Sequence, residues 1–156
     1  MTHLEIQDIL DQMVDIEDFD PGPIGSISSN TILDAYRGCG PDNWAESIRD
    51  RLDDATVEYA PSILVHDVEF YLSDGTFKGM HKANERFHKN NKAIFDQRYP
   101  LISLRILCPS YRLRRVKAKG IMAALNLATS DVFTKRAWEV AHKVKLERLK
   151  EWQAPR

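Results

Sequence analysis

The sequence has little cysteine, no long apolar run and almost no net charge, and each absence excludes a class of protein. Only two cysteines occur among 156 residues, too few for a disulfide framework or a metal-ligand tetrad. No apolar stretch approaches the roughly 20 residues that cross a bilayer, so we expect no transmembrane segment. A net charge of -1 gives no overall field to attract nucleic acid, and we expect none as a partner.

The start of the chain and its length bear on compartment and domain count. Residues 1–20 are acidic and amphipathic, and they lack the positive start and apolar run of a secretory signal. Together with the scarce cysteine, this predicts a cytoplasmic protein.

The length suits a single domain over 1–156. Within it we expect an N-terminal helix and loop over 1–30, a core over 36–133 and a polar C-terminal helix over 134–156.

Apolar residues recur at helical spacing along most of the chain, which predicts an all-α fold. A first helix, capped by Thr2, ends by Phe19, and the Pro- and Gly-rich stretch after it is a loop. Residues 61–72 are apolar almost all round, as in a buried helix, although their β-branched members leave a strand as the alternative. Further helices are expected over 31–36, around 44–52, over 80–95, over 121–128, where the composition is that of a buried helix, and over 132–152.

A histidine in the middle of the buried segment needs an explanation, because an imidazole taken out of water must find partners for both ring nitrogens. His66 is that histidine, and Asp67 follows it at about 100° around a helix axis, so the two side chains serve different tasks. Asn84 lies on the apolar stripe of the next helix, which a short connection makes an antiparallel neighbour. Its oxygen could accept a proton from His66 and leave the other ring nitrogen as a base for a water.

A glycine-rich loop precedes this pair of helices, at Gly38 and Gly40. Calcium takes several oxygen ligands and accepts backbone carbonyls, so the loop and the Asp67 carboxylate are a candidate calcium site. The same glycines could simply end a helix. Asp67 could equally pair with an arginine from the basic cluster over 112–119.

These elements, in this order, resemble those of phospholipase A2: Gly38-Cys39-Gly40-Pro41, then His66-Asp67-x-x-Phe70, then Ala83-Asn84-x-x-Phe87. The order is similar in particular to small phospholipase A2-like proteins of bacteria and viruses, including phages, which lack the disulfides of the secreted enzymes. The resemblance covers roughly residues 36–95. It implies a calcium-dependent hydrolase of a lipid or other ester, with His66 as general base and Asn84 as its orienting residue. It also implies calcium bound by Asp67 beside the carbonyls of Gly38 and Gly40.

Three departures from the family pattern bear on activity. Ile63 and Glu69 stand where secreted members have disulfide cysteines, and Phe70 replaces a tyrosine. Asn84 replaces the aspartate that orients the histidine, so it brings no negative charge to stabilise an imidazolium. A comparable Asp-to-Asn change in a serine-protease triad lowers kcat by about 10⁴. The resemblance therefore implies a working hydrolase or an inactive descendant.

Other interpretations stay open at this point. His66 could be a core histidine satisfied by a backbone carbonyl, in a non-enzymatic accessory or assembly protein of a phage or bacterium. A His-Asp metal-dependent phosphohydrolase is the weaker alternative, because His3 is the only histidine before His66. We expect the last helix to be largely exposed and to offer a surface for a partner or a homo-oligomer. Its apolar residues are Trp138, Val140, Ala141, Val144, Leu146, Leu149 and Trp152.

Overall fold

Seven α-helices account for most of the part of the chain that the computed structural model describes, namely residues 2–36, 46–101 and 104–153. No strand occurs in these ranges, so the all-α prediction is confirmed and the strand alternative for residues 61–72 is wrong. The helices are α1 His3–Val14, α2 Ser29–Ala35, α3 Glu46–Thr56, α4 Ala60–Tyr71, α5 Phe77–Arg98, α6 Pro109–Ala128 and α7 Asp131–Gln153. Short 3₁₀ turns lie at Ile24–Ser26, Val57–Tyr59 and Leu104–Leu107.

None of the helices in these ranges has both the length and the apolar character needed to cross a bilayer.

Helix α4 lies at the centre of the fold, where it contacts α1, α2, α5 and α7. Pro61 suits its first turn, because the amides there need no partner within the helix. Leu64 and Val68 are fully buried in a cluster with residues of α1 and α2, and Ile63 packs with Phe87 of α5. Burial on several sides is what a segment that is apolar almost all round predicts.

Helices α4 and α5 run antiparallel, as predicted, and hydrogen bonds fix their register. His66 pairs with Asn84, and four residues earlier Ser62 pairs with Asn91. Helix α5 is longer at both ends than the predicted range 80–95. It begins at Phe77 because the Thr76 hydroxyl accepts a hydrogen bond from the amide of Gly79 at 3.0 Å.

One stripe of α5 also fixes the loop that follows α1. The Asn90 side chain donates to the carbonyl of Asp20 at 2.8 Å and accepts from the amide of Asp20 at 2.9 Å. Seven residues later, Gln97 donates to the carbonyl of Asp15 at 2.7 Å and accepts from the amide of Glu17 at 3.1 Å. Since positions seven apart share a helix face, two side-chain amides attach the loop to the same side of α5.

Helix α6 begins at Pro109, well before the predicted start at residue 121, because the basic cluster over 112–119 is itself helical. Residues 121–128 are helical, as predicted, but the prediction that this helix is buried is wrong. In α6 the buried side chains are Ala118 and Leu125, and Leu127 is 64% exposed. The apolar composition therefore predicted more buried side chains than α6 has, because this helix is covered on one side only.

Helix α7 covers the carboxyl end of α4, where carbonyls lack partners within the helix. Lys145 Nζ donates to the carbonyls of Leu72 at 2.9 Å and Ser73 at 3.2 Å, and His142 Nδ1 donates to the Ser73 carbonyl at 2.9 Å. A cation at this end of a helix is also favoured by the helix dipole. The extended C-terminal helix of the prediction is therefore present and docked.

Trp138 is the apolar contact of this docked helix. It is 4% exposed, and its ring meets that of Phe70 edge to face at a centroid distance of 4.9 Å. The expectation of a largely exposed last helix is wrong for Trp138. It holds for other apolar residues of the helix, since Val140, Val144 and Leu149 remain accessible.

We expect Trp138→Ala to lower the free energy of unfolding by about 3 kcal/mol, because truncating a buried aromatic ring leaves a cavity against Phe70. The matched control is Val140→Ala, two residues further along the same helix and 51% exposed, for which we expect about 0.5 kcal/mol or less. Urea unfolding followed by circular dichroism measures both. Equal effects of the two substitutions would contradict the docking of α7.

Candidate functional site at the junction of α4, α5 and α7

His66 and Asn84 form the contact at the centre of the candidate site. Nε2 of His66 lies 3.1 Å from Oδ1 of Asn84, so the hydrogen bond predicted from the sequence is present. The imidazole packs between the rings of Phe70 and Phe87, with centroid distances of 4.6 and 4.8 Å. Asn84 is 2% exposed, whereas His66 keeps part of its surface accessible. The ring is thus held in place.

The first turn of α7 supplies the other partners of Asn84. Its Nδ2 donates to Oδ1 of Asp131 at 2.7 Å and to Oγ1 of Thr134 at 2.9 Å. An ionised carboxylate only accepts hydrogen bonds, so the amide nitrogen must face Asp131 and the amide oxygen must face His66. His66 therefore donates through Nε2. Its Nδ1 carries no proton in this arrangement and can accept one.

A histidine at the surface extends the same network. Nδ1 of His81 donates to Oδ2 of Asp131 at 2.7 Å. Hydrogen bonds from Asn84 and from His81 hold the pKa of Asp131 below its usual range, and the bond to Asp131 raises the pKa of His81. A carboxylate that is ionised at neutral pH thus lies directly behind the amide that faces His66.

Burial dominates the protonation of His66. Removal from water penalises the imidazolium and lowers the pKa of His66 to about 4, although the hydrogen bond to Asn84 acts in the opposite direction. The tight packing against Phe70 and Phe87 is the cause, despite the accessible part of the residue. At neutral pH the ring is therefore a neutral base that binds a proton weakly.

The proposed calcium ligands are only partly described. Asp67 is partly buried on α4, next to His66. Gly38 and Gly40 lie outside the described residues. In the ranges that the structure does cover, no three His, Cys, Asp or Glu side chains converge as a metal site. A carboxylate with loop carbonyls is an all-oxygen set of the kind that calcium takes, so calcium binding here stays a prediction.

No family model, curated protein or solved structure matches the chain. Residue roles therefore rest on the geometry of this site and on the motif order in the sequence.

Sequence reasoning missed the α7 side of the site. Asp131 is not among the site residues expected from the sequence, although it lies 47 positions after Asn84 and bonds to it. A usable signal was present, because a buried side-chain amide has two N–H groups and each needs an acceptor. Counting them at Asn84 would have called for further acceptors, which the structure identifies as Asp131 and Thr134. It could not have said which residues supply them.

We expect NMR titration of the His66 ring in calcium-free buffer to give a pKa near 4, with the proton on Nε2 at pH 7. The pKa in the folded state lies below the ordinary value near 6.5, so the unfolded state binds the proton more tightly. This group therefore favours unfolding progressively as the pH falls from about 6.5 to about 4. A folded-state pKa of 6 or above would contradict the burial argument.

We expect the fold to tolerate an exchange of the amide at position 84 and the carboxylate at position 131 only when both residues are changed. We expect Asn84→Asp alone to destabilise the fold by about 2 kcal/mol, because two carboxylates would then face each other where Nδ2 now donates. The double substitution Asn84→Asp with Asp131→Asn restores a donor opposite an acceptor, so we expect it to recover most of the loss.

A double-mutant cycle measured by urea unfolding tests this exchange, with Asp131→Asn alone as the fourth corner. The same double variant should raise the pKa of His66, because a negative charge would then touch Nε2. Simple additivity of the two single substitutions would show that the contact between positions 84 and 131 has no energetic weight.

Proposed function

We propose that this chain is a phospholipase A2-like, calcium-dependent ester hydrolase of weak turnover, with His66 as its general base. The observation that supports it most is the 3.1 Å contact between His66 Nε2 and Asn84 Oδ1. That contact leaves Nδ1 unprotonated, which is the state a general base needs. The order of motifs over residues 36–95 adds the family resemblance.

Each residue has a distinct task in this proposal. His66 Nδ1 takes a proton from a water as that water attacks the ester carbonyl. Asn84 keeps the ring in the required tautomer, and Asp131 keeps the amide of Asn84 from turning over. The residues that would hold calcium are Asp67 and the carbonyls of the glycine loop. When bound, the ion supplies polarisation of the ester carbonyl and stabilisation of the oxyanion.

Two features of the site argue for slow turnover. A base is most effective when its pKa lies near the working pH, and the pKa of His66 is about 4. In addition, an amide rather than a carboxylate touches Nε2, so the charge that would stabilise the imidazolium lies one residue further away, on Asp131. The proposed activity is therefore weak at neutral pH.

We expect slow, calcium-dependent release of fatty acid from phospholipid vesicles or short-chain esters by the full chain. His66→Gln and Asp67→Asn should each abolish it, whereas His3→Gln, at an exposed position on α1, should leave it unchanged. The double variant Asn84→Asp with Asp131→Asn should raise kcat, because it places the charge next to the imidazole. Circular dichroism of every variant controls for folding.

A non-enzymatic accessory or assembly role is the second candidate. The enclosure of His66 between Phe70 and Phe87, together with its low pKa, also suits a histidine that only joins helices. If the wild type and the double variant are both folded and both lack calcium-dependent turnover, the hydrolase proposal is overturned and this role is favoured. Robust turnover in the wild type would instead overturn the expectation of a weak enzyme.

A further inference from the structure

A groove of about 650 Å³ lies between α5 and α6, and none of the residues proposed to act at His66 lines it. Residues Lys89 and Lys92 on α5 face Arg115 and Lys119 on α6 across it. From the sequence, the basic cluster over 112–119 is a possible source of an arginine partner for Asp67. The structure turns two members of that cluster toward the lysines of α5, so that the positive charge is concentrated on one concave surface.

Positive charge exceeds negative charge among the residues that line this groove. Lys92 pairs with Asp96, the one carboxylate among the lining residues. None of the ion pairs that the described residues form includes Lys89, Arg115 or Lys119. Lys89 interacts electrostatically with Asp20, which does not line the groove. Arg115 and Lys119 therefore line the groove without a carboxylate in any of these ion pairs, in a protein whose net charge is -1.

Arg115 is already held in position for a ligand. Its Nε donates to the carbonyl of Tyr99 at 3.2 Å, and its guanidinium lies 5.1 Å from the ring centroid of Phe95. These contacts fix the plane of the guanidinium and leave its terminal nitrogens as donors. Restricting a long side chain before binding reduces the entropy that a ligand must overcome.

The inner wall of the groove is apolar and carries one further donor. Phe95 is 4% exposed, and Met122 lies beside it on the α6 side. Asn126 also lines the groove, and its Oδ1 accepts from Nδ2 of Asn91 at 2.8 Å. That bond does not use the amide nitrogen of Asn126. Apolar walls with a few convergent polar groups are typical of small-molecule sites, and the volume falls in their usual range.

We propose that the groove binds a phosphate monoester that carries an apolar body. The phosphate lies against Lys89, Arg115 and Lys119, and the body lies against the apolar wall at Met122, behind which Phe95 is buried. Phosphate suits the site better than carboxylate, because a dianion matches several converging cations and its oxygens match the planar guanidinium fork. His66 does not line the groove, so the proposal is independent of the proposed hydrolase activity.

Calorimetric titration of the full chain in 150 mM salt tests the proposal with three probes: inorganic phosphate, octyl phosphate below its micelle concentration, and AMP. We expect octyl phosphate to bind at least about tenfold more tightly than inorganic phosphate, because its alkyl chain is removed from water. Lys119→Gln should weaken octyl phosphate binding by about tenfold. The matched control is Lys117→Gln, two residues away on α6 and outside the groove, which should leave the affinity unchanged.

The remaining outcomes separate the source of the ligand from failure of the proposal. If AMP binds as tightly as octyl phosphate, the proposal holds for a ligand with an aromatic body. If AMP binds no better than inorganic phosphate, the proposal holds for a ligand with an alkyl body. Equal affinity of octyl phosphate and inorganic phosphate would overturn it, since the apolar wall would then contribute nothing. The proposal would also be overturned if Lys117→Gln and Lys119→Gln lowered the affinity for octyl phosphate equally, or if octyl phosphate did not bind.

Discussion

The side-chain amide of Asn84 is the constraint on which this structure depends, because its two ends are chemically different and both are buried. The oxygen can only accept and the nitrogen can only donate, so α4 must present a donor and α7 must present acceptors. His66, Asp131 and Thr134 satisfy these requirements. Turning the amide over would place two acceptors together at Asp131 and would leave buried donors without partners, which costs far more than one ordinary hydrogen bond contributes.

A second buried asparagine on α5 makes the same kind of contact to two other helices. Asn91, seven residues after Asn84, accepts from Ser62 of α4 on one side and donates to Asn126 of α6 on the other. Each asparagine therefore links three helices, and the two share a face of α5. Apolar packing alone would tolerate helices that slide past each other, whereas a directional amide contact is lost on such a shift. Polar residues on an otherwise apolar stripe thus set the register between α4, α5 and the helices that follow.

This architecture has a chemical consequence for His66. The contacts that fix its tautomer also surround it with Phe70 and Phe87, and the resulting desolvation lowers its pKa to about 4. The packing that holds this ring in place therefore also weakens it as a base. The arrangement His66, Asn84, Asp131 keeps a carboxylate in line with the imidazole but places an amide between them. Such a network orients a base well and stabilises its protonated form poorly.

The sequence by itself determined most of the helices and one half of the candidate site. Helical periodicity and capping residues are local, so they predicted the buried helix that carries His66, and the antiparallel pairing with Asn84 followed from a short connection. The tertiary structure decided the rest. Asp131 meets Asn84 across 47 positions, and a local pattern does not encode which distant acceptor satisfies a buried amide. The exposed side of α6 and the buried Trp138 of α7 were decided in the same way, because burial depends on which neighbour covers a face and not on how apolar that face is.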